Sequence, residues 1–308
     1  MAGRWRTAVR REMILTVAVV MVALLGGCSP EAPPDTPTPV PTVAPVQATP
    51  TTVGATAGPT AVPTVAGPTD TPRPTSTPRP AATPTSAPSN KPNTVYIPGG
   101  PFILGSDTGL EDETPRQESV LSGYNIDIYA VTNAEYKEFV DAVGHTPPRN
   151  WNEGTYADGM DDHPAIWVTW HDAEAYCHWA GKRLPTELEW EKAARGEDGR
   201  TYPWGDAFDQ TKCNSQESGE KGTVPVGSYA DGVSLFGAYD MAGNVWEWTV
   251  DWYQGYRGTL YELSRYGETF KVLRGGSWFD AQDAVRATVR KSFDPNQGFS
   301  TIGFRCAE

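Results

Sequence analysis

The chain has 308 residues, 25 of them Lys or Arg and 38 Asp or Glu, for a formal net charge of −13. An acidic surplus of that size repels phosphate backbones, so nucleic acid is excluded as an expected partner. Eighteen of the 28 prolines lie between Pro30 and Pro92, a stretch without aromatic residues, whereas ten of the 11 tryptophans lie from Trp151 to Trp278, which places one folded domain over residues 93–308.

In chain order, Arg4, Arg6, Arg10 and Arg11 precede the apolar run MILTVAVVMVALL, and small residues follow. That is the pattern of a secretory signal over residues 1–27, too short and wrongly flanked for a membrane-spanning helix. Leu25-Gly26-Gly27-Cys28 resembles the lipobox of bacterial lipoproteins. The resemblance implies a diacylglycerol on Cys28 as the new N-terminus, and a protein anchored to the outer side of the cell membrane, where disulfides persist. Residues 28–92 are the lipidated cysteine and a Pro/Thr-rich tract with the loose repeat TPRPTSTPRP. It cannot bury enough apolar surface to fold, and is expected to be a disordered, extended spacer of at most roughly 200 Å.

The domain opens with VYIPGGPFILGS, a strand, a turn and a second strand. Three short amphipathic helices are predicted next. VTNAEYKEFVDAVG has the capping pair Thr132 and Glu135, with Tyr136, Phe139, Val140 and Val143 at helical spacing before Gly144. HDAEAYCHWAG places Ala173, Tyr176, Cys177 and Ala180 on one face, and LPTELEWEKAARG repeats the capping pattern with Thr186 and Glu189 before Gly196. Brief strands are predicted at VLRGGSW, VRATVRK and GFRCA. A few helices, many short strands and long loops give an α+β class with little regular secondary structure. His145, His163, His171 and His178 do not make a metal set and read as solvated or structural.

The stretches IPGGPFILGSD, HPAIWVTWHDAEAYCHWAGKRLPTELEWEKAARG, YDMAGNVWEWTVDWY, LRGGSW and GFRCA, in this order, resemble the sulfatase-modifying-factor family, whose founding activity is formylglycine generation. The likeness spans Val95 to Glu308, and implies an irregular α+β fold related to the C-type lectins. It implies a disulfide between Cys177 and Cys306, which leaves Cys213 unpaired once Cys28 is lipidated. It also implies a calcium site on Asp240, Gly243, Val245 and Glu247, residues whose hard oxygens suit that ion. A second, weaker calcium set maps to Asn214, Ser215, Ser218 and Glu220, with Ser218 where an aspartate is usual.

The copper(I) chemistry of the formylglycine-generating enzymes needs two soft thiolates after RGGSW. At those positions this chain has Asp280 and Val285, so copper is not expected and the thiolate mechanism is not available. Two readings remain. In the first, the domain is a binding or sensory module whose groove, lined by Arg274, Ser277, Trp278, Asp280 and Arg286, recognises a peptide, protein or glycan. In the second it is an oxidoreductase of different chemistry centred on Asp280 as a general base. Formylglycine generation itself is the least expected activity. The bland reading of the same stretch is a strand and turn in which Gly275 and Gly276 permit a tight path, Trp278 packs inside and Asp280 caps the turn.

Overall fold

A computed structural model describes residues 93–308. The expected signal peptide, the lipidated Cys28 and the spacer to residue 92 lie outside the described residues. Among the described residues no helix is long and apolar enough to cross a membrane.

Eight strands and three helices follow one another as β1 (Thr94–Ile97), β2 (Gly100–Leu104), β3 (Gln117–Leu121), β4 (Tyr124–Asp127), α1 (Asn133–Val143), α2 (Trp170–Trp179), α3 (Glu187–Arg195), β5 (Trp246–Trp252), β6 (Lys271–Arg274), β7 (Arg290–Phe293) and β8 (Ile302–Gly303). The first two strands do not pair with each other across the Pro98-Gly99 turn. Instead β1 pairs antiparallel with β4 and β2 with β3, while the main sheet runs β7-β6-β5-β8, with β5 and β8 parallel. The stretch AYDMAGNVWEW runs straight into β5, because Trp246 and Trp248 bury their rings against the core.

All three helices begin where side chains satisfy the first free N–H groups. Thr132 Oγ1 accepts from Glu135 N (3.3 Å) and Glu135 Oε2 accepts from Thr132 N (2.9 Å); Thr186 and Glu189 repeat this reciprocal pair at 3.2 and 2.8 Å. Thr169 and Asp172 do the same for α2. Each such cap contributes about 1 kcal/mol. In α1 the face of Tyr136, Phe139 and Val140 is buried as the periodicity predicts, but Val143 is exposed at the C-terminal end. Helix α3 departs from the amphipathic expectation. Glu187, Glu191, Lys192 and Arg195 are buried with Trp190, because Glu187, Glu191 and Arg195 are ion-paired inside the domain and Lys192 is bound by backbone carbonyls.

The core has two principal clusters. Tyr136, Phe139, Tyr176, Trp151 and Phe304 pack α1 and α2 against the end of the chain. Trp190 gathers β1, β4 and the C-terminal Ala307 around α3. Cys177 in α2 is disulfide-bonded to Cys306, with 5.6 Å between Cα atoms, and so ties a helix to the last segment across 129 residues. Closing a loop of that length is worth about 2–5 kcal/mol.

Candidate functional site

The site is built by the turn that follows β6. Gly275 and Gly276 take φ of 99° and 76°, and a Cβ on them would stand 3.0 Å from the Trp190 ring and 2.6 Å from Val285 Cγ1. Only glycine passes there without displacing the core. The turn is then closed by Asp280, whose Oδ2 accepts from Ser277 N (3.1 Å), Trp246 Nε1 (2.8 Å) and the Ser277 hydroxyl. Three donors exceed the two lone pairs of that oxygen, so only Oδ1 is left for a ligand.

Beyond the turn lies an open pocket of about 350 Å³ whose walls are Trp278, Phe279, Phe293, Phe299 and Ile302, with Lys291, Asp280, Ser277, Ser300 and Thr301 as its polar groups. Phe279 is 68% exposed. The indole Nε1 of Trp278 is buried without a hydrogen-bond partner, a condition that costs about 1–3 kcal/mol. Lys291 has no carboxylate within ion-pair distance among the described residues and lies 4.9 Å over the Trp246 ring. The aromatic surface continues outward: Phe299 meets Trp167 at 5.2 Å, and Arg149 covers Trp167 at 3.4 Å. Trp167 itself has φ 63°, an outlier for a bulky residue and a form of strain found at recognition sites.

Of the five residues expected to line one groove, Ser277, Trp278 and Asp280 meet at this pocket, and Arg274 and Arg286 do not. Arg274 is fully buried behind the sheet, donating to Glu187 Oε1 (3.0 Å), Glu191 Oε2 (2.5 Å) and the carbonyls of Ala287 (2.6 Å) and Thr288 (3.2 Å). Its place on an inward-facing strand position, with acids from α3 waiting there, makes it part of the core. Arg286 turns to the other side and forks onto Glu113 at 2.7 Å through both terminal nitrogens, beside a different cavity of about 420 Å³. Val285 is fully buried in a cluster with Tyr202, Ala242 and Cys213. The Cys213 thiol in that cluster is pushed up to about 11 by burial, so it offers no thiolate near neutral pH. His145 and His163 make local hydrogen bonds, to Asp172 and Thr223, and His171 and His178 are exposed.

The first calcium set holds two carboxylates of different standing. Glu247 accepts from Arg305 Nε (2.6 Å), Arg305 Nη2 (2.7 Å) and Trp190 Nε1 (2.7 Å). That uses three of about four lone-pair sites on the carboxylate. Asp240, at φ 56°, accepts only from Gly227 N (2.7 Å), and enclosure of its carboxyl pushes it up to about 6. Two enclosed carboxylates thus face one guanidinium, leaving one negative charge unmatched, and this donor chemistry fits a hard cation held by Asp240, the spare lone pair of Glu247 and the carbonyls of Gly243 and Val245. The second set does not fit. Asn214 Oδ1 accepts from the Ser218 hydroxyl, Ser215 Oγ donates to Glu217, and the one carboxylate of the set, Glu220, faces solvent, so no enclosed anionic donor remains there.

Sequence reasoning missed Lys291, Phe293, Phe299 and Ile302, which come from β7, the loop after it and β8 and carry no shared motif. It also missed the ion cluster of Glu187, Glu191, Arg274 and Arg290. The signal for that cluster was present as two acids at i, i+4 on a helix flanking a tryptophan.

Fold and site together define an irregular α+β domain with an aromatic pocket where a thiolate pair would be needed for copper chemistry. The chain belongs to the sulfatase-modifying-factor family: the sulfatase-modifying factor enzyme 1-like domain matches residues 80–308. The serine/threonine-protein kinase Pkn1 of Chlamydia trachomatis serovar L2 is 38% identical over 236 residues, covering 70% of this chain and 38% of that protein, so the chain spans well under half of that relative. The inactive C-alpha-formylglycine-generating enzyme 2 of Mus musculus is 33% identical over 274 residues, covering 70% of this chain and 85% of that protein. The formylglycine-generating enzyme of Streptomyces coelicolor is 34% identical over 285 residues, covering 71% and 90%. Among solved structures, PvdO from Pseudomonas aeruginosa superposes with a TM-score of 0.60 at 26% identity, covering 74% of this chain and 99% of that one.

Proposed function

We propose that this domain is a ligand-binding module, displayed outside the cell from a lipid on Cys28, whose aromatic pocket takes an apolar side chain of a peptide or protein segment. The observation that carries the reading is the pocket's chemistry. Its walls are aromatic, its one cation, Lys291, has no carboxylate within ion-pair distance among the described residues, and no thiol lines it. An apolar body carrying an acceptor or anionic group within reach of Lys291 meets those needs. Copper has no place in this reading, since Val285 is enclosed and Asp280 is a hard, turn-bound carboxylate. Asp280 holds the turn through Oδ2, which leaves Oδ1 alone for contact with a ligand. The calcium ion is proposed at Asp240 and Glu247, where it would neutralise a buried charge and pin the loop that leads into β5.

The test is selection of short peptides on the purified protein, with a glycan array run in parallel. Binders that lose about tenfold or more in affinity with Trp278→Ala and with Phe299→Ala, at unchanged melting temperature, support the reading. Enrichment of glycans alone, or binders indifferent to both substitutions, overturns it. For the anchor, Cys28→Ser is expected to release the protein from the membrane fraction and abolish incorporation of a labelled fatty acid; membrane retention of that variant refutes the lipid.

A further inference from the structure

The β2–β3 pair has two outer edges, and they are treated differently. The β2 edge is sealed by α3. Lys192 Nζ donates to the carbonyls of Pro98 (2.6 Å) and Gly100 (3.1 Å), Arg195 Nη1 donates to those of Ile103 (3.2 Å) and Gly105 (2.8 Å), and Glu191 Oε1 accepts from Gly105 N (2.7 Å). The β3 edge has no such cover. Among the described residues, no backbone group of Gln117–Leu121 has a partner other than β2. An uncovered edge presents a row of N–H and C=O groups ready to receive another strand.

This open edge forms one wall of a groove of about 710 Å³ whose far wall is the end of β5 and the loop after it. Five residues of β3 give roughly 17 Å of edge, enough for one short strand. Along the groove, Val120 is 70% exposed and Trp252 stands at the opposite wall, so apolar surface is offered on both sides. Glu118 and Glu268 line it against a single exposed cation, Arg257, while Asp251 is engaged at the start of α3, accepting from Glu187 N (2.6 Å). The acids deeper in, such as Glu187, are already matched by Arg274 and Arg290. The unmatched charge of the groove is therefore negative.

We infer that β3 is a docking edge for an extended, basic segment of another protein, which adds as a third strand of the β2–β3 sheet with Lys or Arg side chains at alternate positions reaching Glu118 and the far wall. Backbone hydrogen bonds along the edge give affinity for any extended chain, and the alternating charge selects which chain. This surface is separate from the aromatic pocket and does not depend on what that pocket binds.

The test uses the purified protein and a library of short linear peptides, selected in parallel on the wild type and on the double variant Glu118→Lys/Glu268→Lys. The expected result is enrichment of peptides with a basic residue at every second position, slowing of amide exchange at Gln117–Leu121 by about tenfold or more when the best of them is bound, and loss of both effects in the double variant. Val120→Pro, which removes an outward N–H of the β3 edge, should also abolish binding; if it unfolds the protein, the charge variant decides alone. Trp278→Ala should leave this binding unchanged. The inference is overturned if no basic alternating peptides are enriched, if they bind without protecting β3, or if the double variant binds them equally.

Discussion

Replacing Arg274 by alanine is the perturbation that separates a core arginine from a ligand-binding one. The side chain is fully buried and donates to two carboxylates, Glu187 and Glu191, and to two backbone carbonyls. Without it, Glu187 retains Arg290, but Glu191 Oε2 keeps only a long contact with Tyr256 at 3.3 Å, and the carbonyls of Ala287 and Thr288 lose this donor. Removing one partner of a buried, hydrogen-bonded pair costs about 3–5 kcal/mol, which for a domain of this size lowers the melting temperature by roughly 6–20 °C. Arg274→Lys should recover part of the loss, since an ammonium reaches one carboxylate but cannot fork between two. Urea unfolding of both variants, with exposed Arg257→Ala as the control, measures it. A loss below about 1 kcal/mol for Arg274→Ala, the range of ordinary surface substitutions, would refute the reasoning.

Three further outcomes are expected. Calcium should raise the melting temperature of the wild type and a chelator should reverse it, with the response abolished by Asp240→Ala and unaffected by Glu220→Ala; a response that survives Asp240→Ala places the ion elsewhere. Cys213 should resist thiol reagents in the native protein near neutral pH and react on addition of denaturant, because burial, its largest influence, raises the thiol to about 11; rapid native labelling would contradict this. The carboxyls of Glu113, Glu187 and Glu189 are held below the ordinary value of 4.5, burial opposing and the arginine partners Arg286, Arg290 and Arg183 prevailing. Their folded values are depressed, so their stabilisation is present above about pH 4.5 and is lost as pH falls through the folded values. Stability should therefore decline below pH 4.5, and Glu113→Gln should flatten part of that decline; an unchanged profile would count against the pairing with Arg286.

The helices were legible because their determinants are local. Thr132 with Glu135 and Thr186 with Glu189 announce two starts, and Gly144 and Gly196 announce the matching stops. The strand pairings were not legible, since β1 chooses β4 over the adjacent β2 only after long-range packing is counted. At the site, the short motif around Ser277, Trp278 and Asp280 held together because its hydrogen bonds close within four residues. Arg274 and Arg286 were assigned to the same groove by sequence proximity alone, yet an inward strand position sends one into the core and a turn sends the other to Glu113. The pocket's other walls arrive from residues 291–302, and nothing in their spacing links them to Trp278.

The most direct test of the central claim, that the domain binds through an aromatic pocket and carries no copper–thiolate chemistry, is incubation of the purified protein with Cu(I), oxygen and a peptide bearing a C-x-P-x-R sequence, followed by mass spectrometry of the peptide. The account predicts an unmodified cysteine and no copper retained on the protein. A mass corresponding to formylglycine, formed in proportion to the protein added and lost with Asp280→Ala, would contradict it.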